Sequence, residues 1–256
     1  MSELVLSSPD RDRGVATLTL NSVANRNALS SGLLEELLRL LEQAEDDDSI
    51  RVVVLRANGP SFCSGADLAA ARSGSMAPIV RGIVEVQRRI VTMSKPVVAR
   101  VHGSVRAGGL GMVAAADIAV GSTESSYALT EVRLGLAAAS ISLTVLPRLT
   151  DRAASYHLLS GRAFDGAAAA RMGLLTCAVP EAELDAAVES VVSDVLKGDP
   201  QGLRETKTLL TAPLRSRLDE LGQDMIDLSA ELFASPRARR AIEAVLSRGR
   251  QPRPLA

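Results

Sequence analysis

The stretch Lys95 to Val120, KPVVARVHGSVRAGGLGMVAAADIAV, contains two short apolar runs with a glycine-rich segment between them. Val97 to Val101 and Ile118 to Val120 have the length and the residue types of buried β-strands. The segment Ala107 to Gly111 follows a strand-like run and opens a helix-like run. Because backbone N–H groups at a helix start lack an intrahelical acceptor, they can bind an oxygen anion. The stretch therefore predicts buried strands beside an anion-binding turn.

The preceding residues alternate strand and helix patterns in the same way. Val52 to Leu55 is another all-apolar run, and Val15 to Leu20 alternates as a half-buried strand does. Between these two strands, Ser30 or Ser31 can cap a helix whose leucines share one face. Strands that alternate with helices favour a parallel sheet with right-handed crossovers, so the predicted fold class is α/β.

Helical periodicity replaces the strand pattern after Ser140. Two apolar stripes at i+3 and i+4 spacing must be buried against the sheet or against another subunit. We therefore divide the chain into a core, residues 1–195, and a helical C-terminal extension, residues 196–256. The predicted helices of this part are Asp151 to Leu159, Asp165 to Met172, Glu181 to Leu196, Gly202 to Leu210 and Leu214 to Phe233.

The composition excludes several classes of function. A chain of 256 residues with 46% hydrophobic residues can bury a sizeable core. The net charge of -1 argues against a polyanionic partner, and the absence of Trp with only two Tyr and three Phe argues against base stacking. The two cysteines fit neither a disulfide framework nor a metal site, and no long apolar run could span a membrane. We expect a cytoplasmic protein with no nucleic-acid, metal or membrane partner.

A second glycine-containing turn lies in Pro60 to Leu68, PSFCSGADL, between the strand Val52 to Leu55 and a short helix expected near Asp67. Two strand ends of one parallel sheet, each followed by such a turn, can direct one N–H each at the same carbonyl oxygen. That arrangement is an oxyanion hole, which stabilises an enolate or a tetrahedral oxyanion without a charged side chain. The two turns together predict chemistry at a carbonyl group.

A dinucleotide-binding oxidoreductase is the remote alternative. Gly109 to Ala114 reads as G-x-G-x-x-A, which resembles the phosphate-binding fingerprint of such enzymes. The next apolar strand begins at Asp117 or Ile118, however, and leaves about five residues where a crossover helix normally needs ten or more. The spacing therefore disfavours a bound dinucleotide.

Five segments occur in the order and spacing of the crotonase, or enoyl-CoA hydratase/isomerase, superfamily, which the chain resembles over about residues 4 to 250. They are Asn27 to Leu29, Phe62 to Leu68, Lys95 to Ala99, His102 to Asp117 and Leu129 to Gly135. The resemblance implies a crotonase-like spiral of βαβ units and a C-terminal helical trimerisation region. It also implies a homotrimer or a dimer of trimers that binds acyl-CoA thioesters. No separate cofactor is expected, because coenzyme A is part of the substrate.

The resemblance also implies roles for individual residues. The N–H groups of Ala66 and Gly108 are expected to bind the thioester oxygen, and Glu131 is expected to be the catalytic acid/base. The loop Arg72 to Pro78 is expected to border the acyl pocket. The residues expected to contact the substrate or its coenzyme A are Ala24, Arg26, Ala66, Asp67, Leu68, Gly108 and Lys207.

The sequence departs from the family pattern at Gly111, where the family's hydratases commonly carry a first catalytic glutamate. Glu131 matches the second one. A single carboxylate could add water to the β-carbon of a 2-enoyl group, or it could move a proton between the α- and γ-carbons. We predict an enoyl-CoA hydratase acting on 2-enoyl-CoA thioesters. The alternatives are an enoyl-CoA delta-isomerase of the same fold and a non-catalytic acyl-CoA-binding homologue.

Other polar side chains near these motifs have structural interpretations. The apolar neighbours of Glu131 should raise the pKa of its carboxyl, which suits acid/base chemistry. We interpret His102 as a hydrogen-bonded structural residue and Cys63 as a turn residue without a base beside it. Salt bridges at the surface or between subunits are favoured for Arg106 and Arg133 over a second carboxylate on the substrate.

Overall fold

The computed structural model describes residues 3–69 and 76–248. Most of the short helix expected after Asp67 and of the loop Arg72 to Pro78 lies outside these ranges. The strands of the described part are β1 (Val5–Asp10), β2 (Val15–Leu20), β3 (Val52–Ala57), β4 (Ser61–Cys63), β5 (Val97–Val101), β6 (Ser104–Arg106), β7 (Ile118–Ser122), β8 (Ser126–Ala128), β9 (Phe164–Asp165) and β10 (Cys177–Val179). Its α-helices are α1 (Ser31–Asp46), α2 (Ala77–Thr92), α3 (Gly108–Ala115), α4 (Ala139–Val145), α5 (Asp151–Ser160), α6 (Gly166–Met172), α7 (Leu184–Leu196), α8 (Pro200–Ala234) and α9 (Pro236–Arg248).

A six-stranded sheet forms the centre of the molecule in the order β1-β2-β3-β5-β7-β10. Its strands are parallel except for the antiparallel pair of β1 and β2. The four strands predicted from the sequence are β2, β3, β5 and β7. Their buried residues face two layers, a large core on one face and helix α7 on the other. The predicted parallel sheet is therefore confirmed.

A second, four-stranded sheet in the order β4-β6-β8-β9 was not predicted. Strands β4, β6 and β8 are parallel, and β9 runs antiparallel to β8. The expectation that the two glycine turns follow strands of the sheet containing Val52 to Leu55 was wrong, because they follow β4 and β6. After β3, β5 and β7 the chain continues into one three-residue strand of the small sheet. Strands this short carry no periodic signal.

The helices cover the core face of the large sheet and build the C-terminal part. Helix α1 begins as predicted, with the Ser30 hydroxyl accepting a hydrogen bond from the Leu33 N–H at 3.3 Å. Helix α2, which was not predicted, packs against α1, α3 and α8. Helix α8 was predicted as two helices but is continuous through Pro213. Its packing against α2 and α4 outweighs the loss of one hydrogen bond at the proline.

The C-terminal helices lie against the core and also leave apolar side chains exposed. The predicted division at residues 195 and 196 falls between α7 and α8. Leu209 and Leu210 on α8 are 77% and 74% exposed in the single chain. The domain division and the trimer stay predictions. None of the helices in residues 3–69 and 76–248 combines the length and the hydrophobicity needed to cross a membrane.

Candidate active site

Three parallel strands of the small sheet bring the predicted catalytic groups to one edge. Ala66 lies three residues beyond β4, Gly108 two residues beyond β6, and Glu131 three residues beyond β8. The carboxyl ends of parallel strands meet at the same edge of a sheet, which is where α/β proteins bind their ligands. The Ala107 N–H also donates to the carbonyl of Ala128 at 3.4 Å and joins two of these segments.

The two glycine turns touch each other. Gly65 has a φ of +92°, and a β-carbon added to it would lie 2.9 Å from the β-carbon of Ala107. Ala107 itself has a φ of +46°, which an L-residue with a side chain rarely adopts. Each of these positive-φ residues immediately precedes one of the predicted oxyanion donors, Ala66 or Gly108. Backbone strain such as that at Ala107 concentrates at functional sites, where surrounding contacts hold it in place.

The backbone around Ala66 leaves its N–H directed away from the neighbouring segment. The Leu29 N–H donates to Gly65 O at 2.8 Å, and the Asp67 N–H donates to Leu29 O at 3.1 Å, so Ala66 is the middle residue of a parallel bridge. Gly108 is the first residue of helix α3, so its N–H has no acceptor within the helix. Among the described residues neither N–H donates to a backbone carbonyl. The described backbone therefore leaves both N–H groups without an acceptor, as the predicted oxyanion role requires.

Close packing beneath the turns requires glycines in helix α3. A β-carbon on Gly108 would lie 2.6 Å from Leu29 Cδ1, and one on Gly109 would lie 2.8 Å from Cys63 Cβ. Cys63 is completely buried, and this burial raises the pKa of its thiol to about 12. A thiol that stays protonated is a poor nucleophile. The position agrees with the interpretation of Cys63 as a turn residue.

Glu131 is half-buried at this edge, and one oxygen of its carboxyl group is buried. It begins a short 3₁₀ turn, Glu131–Leu134, whose backbone is held by a hydrogen bond from Leu136 N to Glu131 O at 3.0 Å. Its Oε2 atom is buried and has no hydrogen-bond partner among the described residues. Burial raises the pKa of the carboxyl from 4.5 to about 7, and its own backbone N–H offsets part of this rise. The direction agrees with the expectation from its apolar neighbours.

Gln87 of helix α2 occupies the space beside Gly111, where a first glutamate would stand. A β-carbon on Gly111 would lie 2.9 Å from Ile141 Cγ2 and 3.0 Å from Gln87 Cδ. The Gln87 amide is fully buried, donates to Ser140 O at 3.1 Å and accepts from Thr144 Oγ1 at 2.6 Å. A neutral, hydrogen-bonded amide therefore fills this volume.

Most of the residues expected to bind coenzyme A lie close together in the structure, and one of them, Lys207, lies elsewhere. Ala24 and Arg26 are exposed on and after the turn Val23–Asn25. This turn leans on the segment before and after Ala66, because Ser64 N donates to Arg26 O at 3.1 Å and Asn25 Nδ2 donates to Asp67 Oδ2 at 3.2 Å. The segment with Ala24 and Arg26 thus lies beside the segment with Ala66, Asp67 and Leu68.

Lys207 does not belong to that surface. It is only 4% exposed, and its Nζ lies 2.8 Å from Asp117 Oδ2, Ile90 O and Lys95 O. Burial lowers the pKa of the ammonium, and the Asp117 carboxylate opposes that shift. The expected contact with coenzyme A is corrected accordingly. The ammonium ties helix α8 to the large sheet and is not accessible to a phosphate.

His102, Arg106 and Arg133 make hydrogen bonds to the protein itself. The His102 ring lies 3.1 Å from Arg100 Nη1 and 2.7 Å from the Gly59 carbonyl, as a structural histidine would. Arg106 donates to Ser126 Oγ at 3.1 Å, and Arg133 donates to the carbonyl of Ser160. Within residues 3–69 and 76–248 of the single chain neither arginine forms a salt bridge, so a bridge between subunits stays a prediction.

Comparison with known proteins identifies the family. A family model described as enoyl-CoA hydratase/isomerase matches residues 10–251. The chain belongs to the enoyl-CoA hydratase/isomerase family. A crystal structure from Mycobacterium avium paratuberculosis K-10, provisionally assigned as an enoyl-CoA hydratase, superposes with a TM-score of 0.90 and 45% identity. It covers 96% of this chain and 97% of the other, which confirms the crotonase-like fold.

Relatives of this enoyl-CoA hydratase/isomerase family member differ in their named reactions. A protein of Thermus thermophilus, provisionally assigned as an enoyl-CoA hydratase, is 33% identical over 204 residues, 77% of this chain and 81% of that one. The hydroxycinnamoyl-CoA hydratase-lyase of Pseudomonas fluorescens is 30% identical over 203 residues, 76% and 74% of the two chains. Identity at this level places the chain in the family without selecting one reaction.

The sequence analysis did not identify Gln87 and Thr144, which fill the space beside Gly111 in this family member. The periodicity of helix α2 offered a signal, because Ile79, Ile83 and Ile90 mark one apolar face and Gln87 interrupts it. A polar residue on a buried helical face must find a hydrogen-bond partner. Only the fold shows that this partner lies on α4.

Proposed function

We propose that the protein is an enoyl-CoA hydratase that adds water to 2-enoyl-CoA thioesters. The observation that carries the proposal is the buried Oε2 atom of Glu131, which has no hydrogen-bond partner among the described residues. It lies at the sheet edge where the Ala66 and Gly108 amides are also found. A carboxyl whose pKa is raised to about 7 can both accept and return a proton near neutral pH. Membership of the enoyl-CoA hydratase/isomerase family supports an acyl-CoA thioester as the substrate.

The mechanism uses two amides and one carboxylate. The N–H groups of Ala66 and Gly108 donate to the thioester oxygen and stabilise the negative charge that develops there. This polarisation makes the β-carbon electrophilic. Ionised Glu131 accepts a proton from the attacking water as its oxygen bonds to the β-carbon, and the enolate α-carbon then takes that proton back. Coenzyme A enters as part of the substrate and lies along Ala24, Arg26, Asp67 and Leu68.

An enoyl-CoA delta-isomerase is the second candidate, and the packing at Gly111 favours it. Because Gln87 fills the space of a first glutamate, one carboxylate must perform every proton transfer. In the isomerase reaction Glu131 removes a proton from the α-carbon of a 3-enoyl group and delivers it to the γ-carbon. This reaction needs no positioned water, whereas hydration does. The two reactions therefore differ in their substrates and not in the residues they use.

Two substrate panels distinguish the candidates. A hydratase lowers the conjugated-thioester absorbance of 2-enoyl-CoA, whereas an isomerase raises that of 3-enoyl-CoA. Glu131→Gln should lower turnover by about 100- to 10,000-fold, the span of general acid/base catalysis, with little change in KM. Glu124→Gln, which alters an exposed carboxylate, is the matched control.

Each result has a defined meaning. Near-native turnover in Glu131→Gln would refute the catalytic assignment. Tight binding of acyl-CoA without turnover in either panel would instead identify a non-catalytic acyl-CoA-binding protein.

A further inference from the structure

A cavity of about 460 Å³ lies on the face of the large sheet opposite the main core. Strands β2, β3 and β5 form its floor, and helix α7 forms one wall. Val15 and Val54 from the sheet and Val188 and Val192 from the helix give it apolar walls. This volume falls in the range of about 300 to 1,000 Å³ that small-molecule sites occupy. The sheet separates it from the candidate active site.

The charged groups that line the cavity leave one positive charge unmatched. Arg13 pairs with Glu189 at the exposed rim, and Arg100 pairs with Asp185 at 2.5 Å. Arg56 also lines the cavity, and its Nε is buried without a hydrogen-bond partner. Among the described residues Arg56 has neither an ion pair nor a hydrogen bond from its side chain. Burying an unpaired guanidinium nitrogen is costly, so the site favours an added anion.

The sheet register places two guanidinium groups side by side. Leu55 pairs with Ala99 across β3 and β5, so the following residues, Arg56 and Arg100, lie on neighbouring strand ends. Arg100 is only 8% exposed and is fixed between Asp185 and His102. The hydrogen bond from Arg100 and the charges of Arg100 and Arg56 hold the pKa of the Asp185 carboxyl below its usual value. One largely exposed carboxylate therefore faces two arginines.

We propose that this cavity binds an aliphatic monocarboxylate, with its carboxylate on Arg56 and its hydrocarbon chain along the four valines. Planar carboxylates match the fork of an arginine guanidinium, and the charge-assisted hydrogen bond is among the stronger contacts in proteins. An inorganic anion would leave the valine walls exposed to water, whereas an alkyl chain buries them. Asp185 and Glu189 do not oppose this binding, because each is already matched by an arginine. The site is separate from the proposed acyl-CoA chemistry.

Titration with sodium octanoate, followed by calorimetry and by the shift of a ¹³C-labelled carboxyl resonance, tests the proposal. Wild-type protein should bind octanoate at one saturable site, and Arg56→Gln should weaken binding by roughly tenfold or more. Arg39→Gln, at an exposed arginine on α1, is the matched control and should leave affinity unchanged. Ala186→Trp fills the cavity from an exposed position on α7 and should abolish binding. Octanol, which lacks the charge, should bind far more weakly than octanoate.

The alternatives give different results. Absence of binding at about 10 mM octanoate would overturn the proposal, since even weak ligands bind at millimolar concentration. Equal affinity in wild type, Arg56→Gln and Ala186→Trp would place the octanoate elsewhere, for example in the acyl pocket, and would also overturn it. Turnover of enoyl-CoA by Arg56→Gln should equal that of wild type. Failure of this site is therefore distinguishable from failure of the proposed function.

Discussion

Replacing Glu131 by glutamine should stabilise the protein at pH 8 while it lowers turnover. Burial raises the pKa of this carboxyl from 4.5 to about 7. Folding at a pH above both values therefore places an ionised group where the neutral form is preferred. The difference corresponds to about 3 kcal/mol as an upper value, at about 1.4 kcal/mol for each tenfold change in acid dissociation. Glutamine has the same shape and never ionises.

The stability difference between Glu131→Gln and wild type should grow as the pH rises. Because the folded-state pKa lies above the unfolded-state value, the folded protein binds the Glu131 proton more tightly. The stabilising contribution of that proton is complete below about pH 4.5 and is lost as the pH rises to about 7. Glu131→Gln and wild type should therefore have similar stability near pH 4, and the variant should be increasingly more stable up to pH 8.

Urea denaturation at fixed protein concentration, repeated from pH 4 to pH 8, measures the difference in unfolding free energy. Glu124→Gln serves again as the control and should follow wild type. A Glu131→Gln variant that is equally stable or less stable at pH 8 would show that the ionised carboxylate is well solvated or paired. That result would refute the argument from burial.

Two further substitutions test the packing around the site. Gly111→Glu should lower the free energy of unfolding by about 1 to 3 kcal/mol, because its side chain must displace Gln87. Adding Gln87→Ala should recover part of this loss, and urea denaturation measures both effects. A Gly111→Glu variant as stable as wild type would show that the space is open. Lys207→Met should lower the free energy of unfolding by about 3 to 5 kcal/mol, because it leaves the Asp117 carboxylate unpaired, and KM for the thioester should stay unchanged. A raised KM with intact stability would restore the coenzyme A role of Lys207.

Local sequence patterns were sufficient to predict the long strands and the glycine turns, whereas the catalytic candidates came from the resemblance to the family. Val52 to Leu55 and Val97 to Ala99 are apolar because both faces of their sheet are covered, and that requirement is visible in consecutive residues. The turn at Gly65 needs a positive φ, which restricts the residue type at that position. Glu131 was named through that resemblance, and its apolar neighbours added the expectation of a raised pKa.

Tertiary structure alone decided which distant residues meet. The three-residue strands β4, β6 and β8 exist because they pair with one another, and strands that short show no period in the sequence. The resemblance implied that Lys207 contacts coenzyme A, yet the carboxylate of Asp117 and two carbonyls satisfy its ammonium inside the protein. Gln87 meets Gly111 only because helices α2, α3 and α4 pack together. Side-chain periodicity and turn chemistry act over a few residues, whereas these contacts depend on the whole chain's packing.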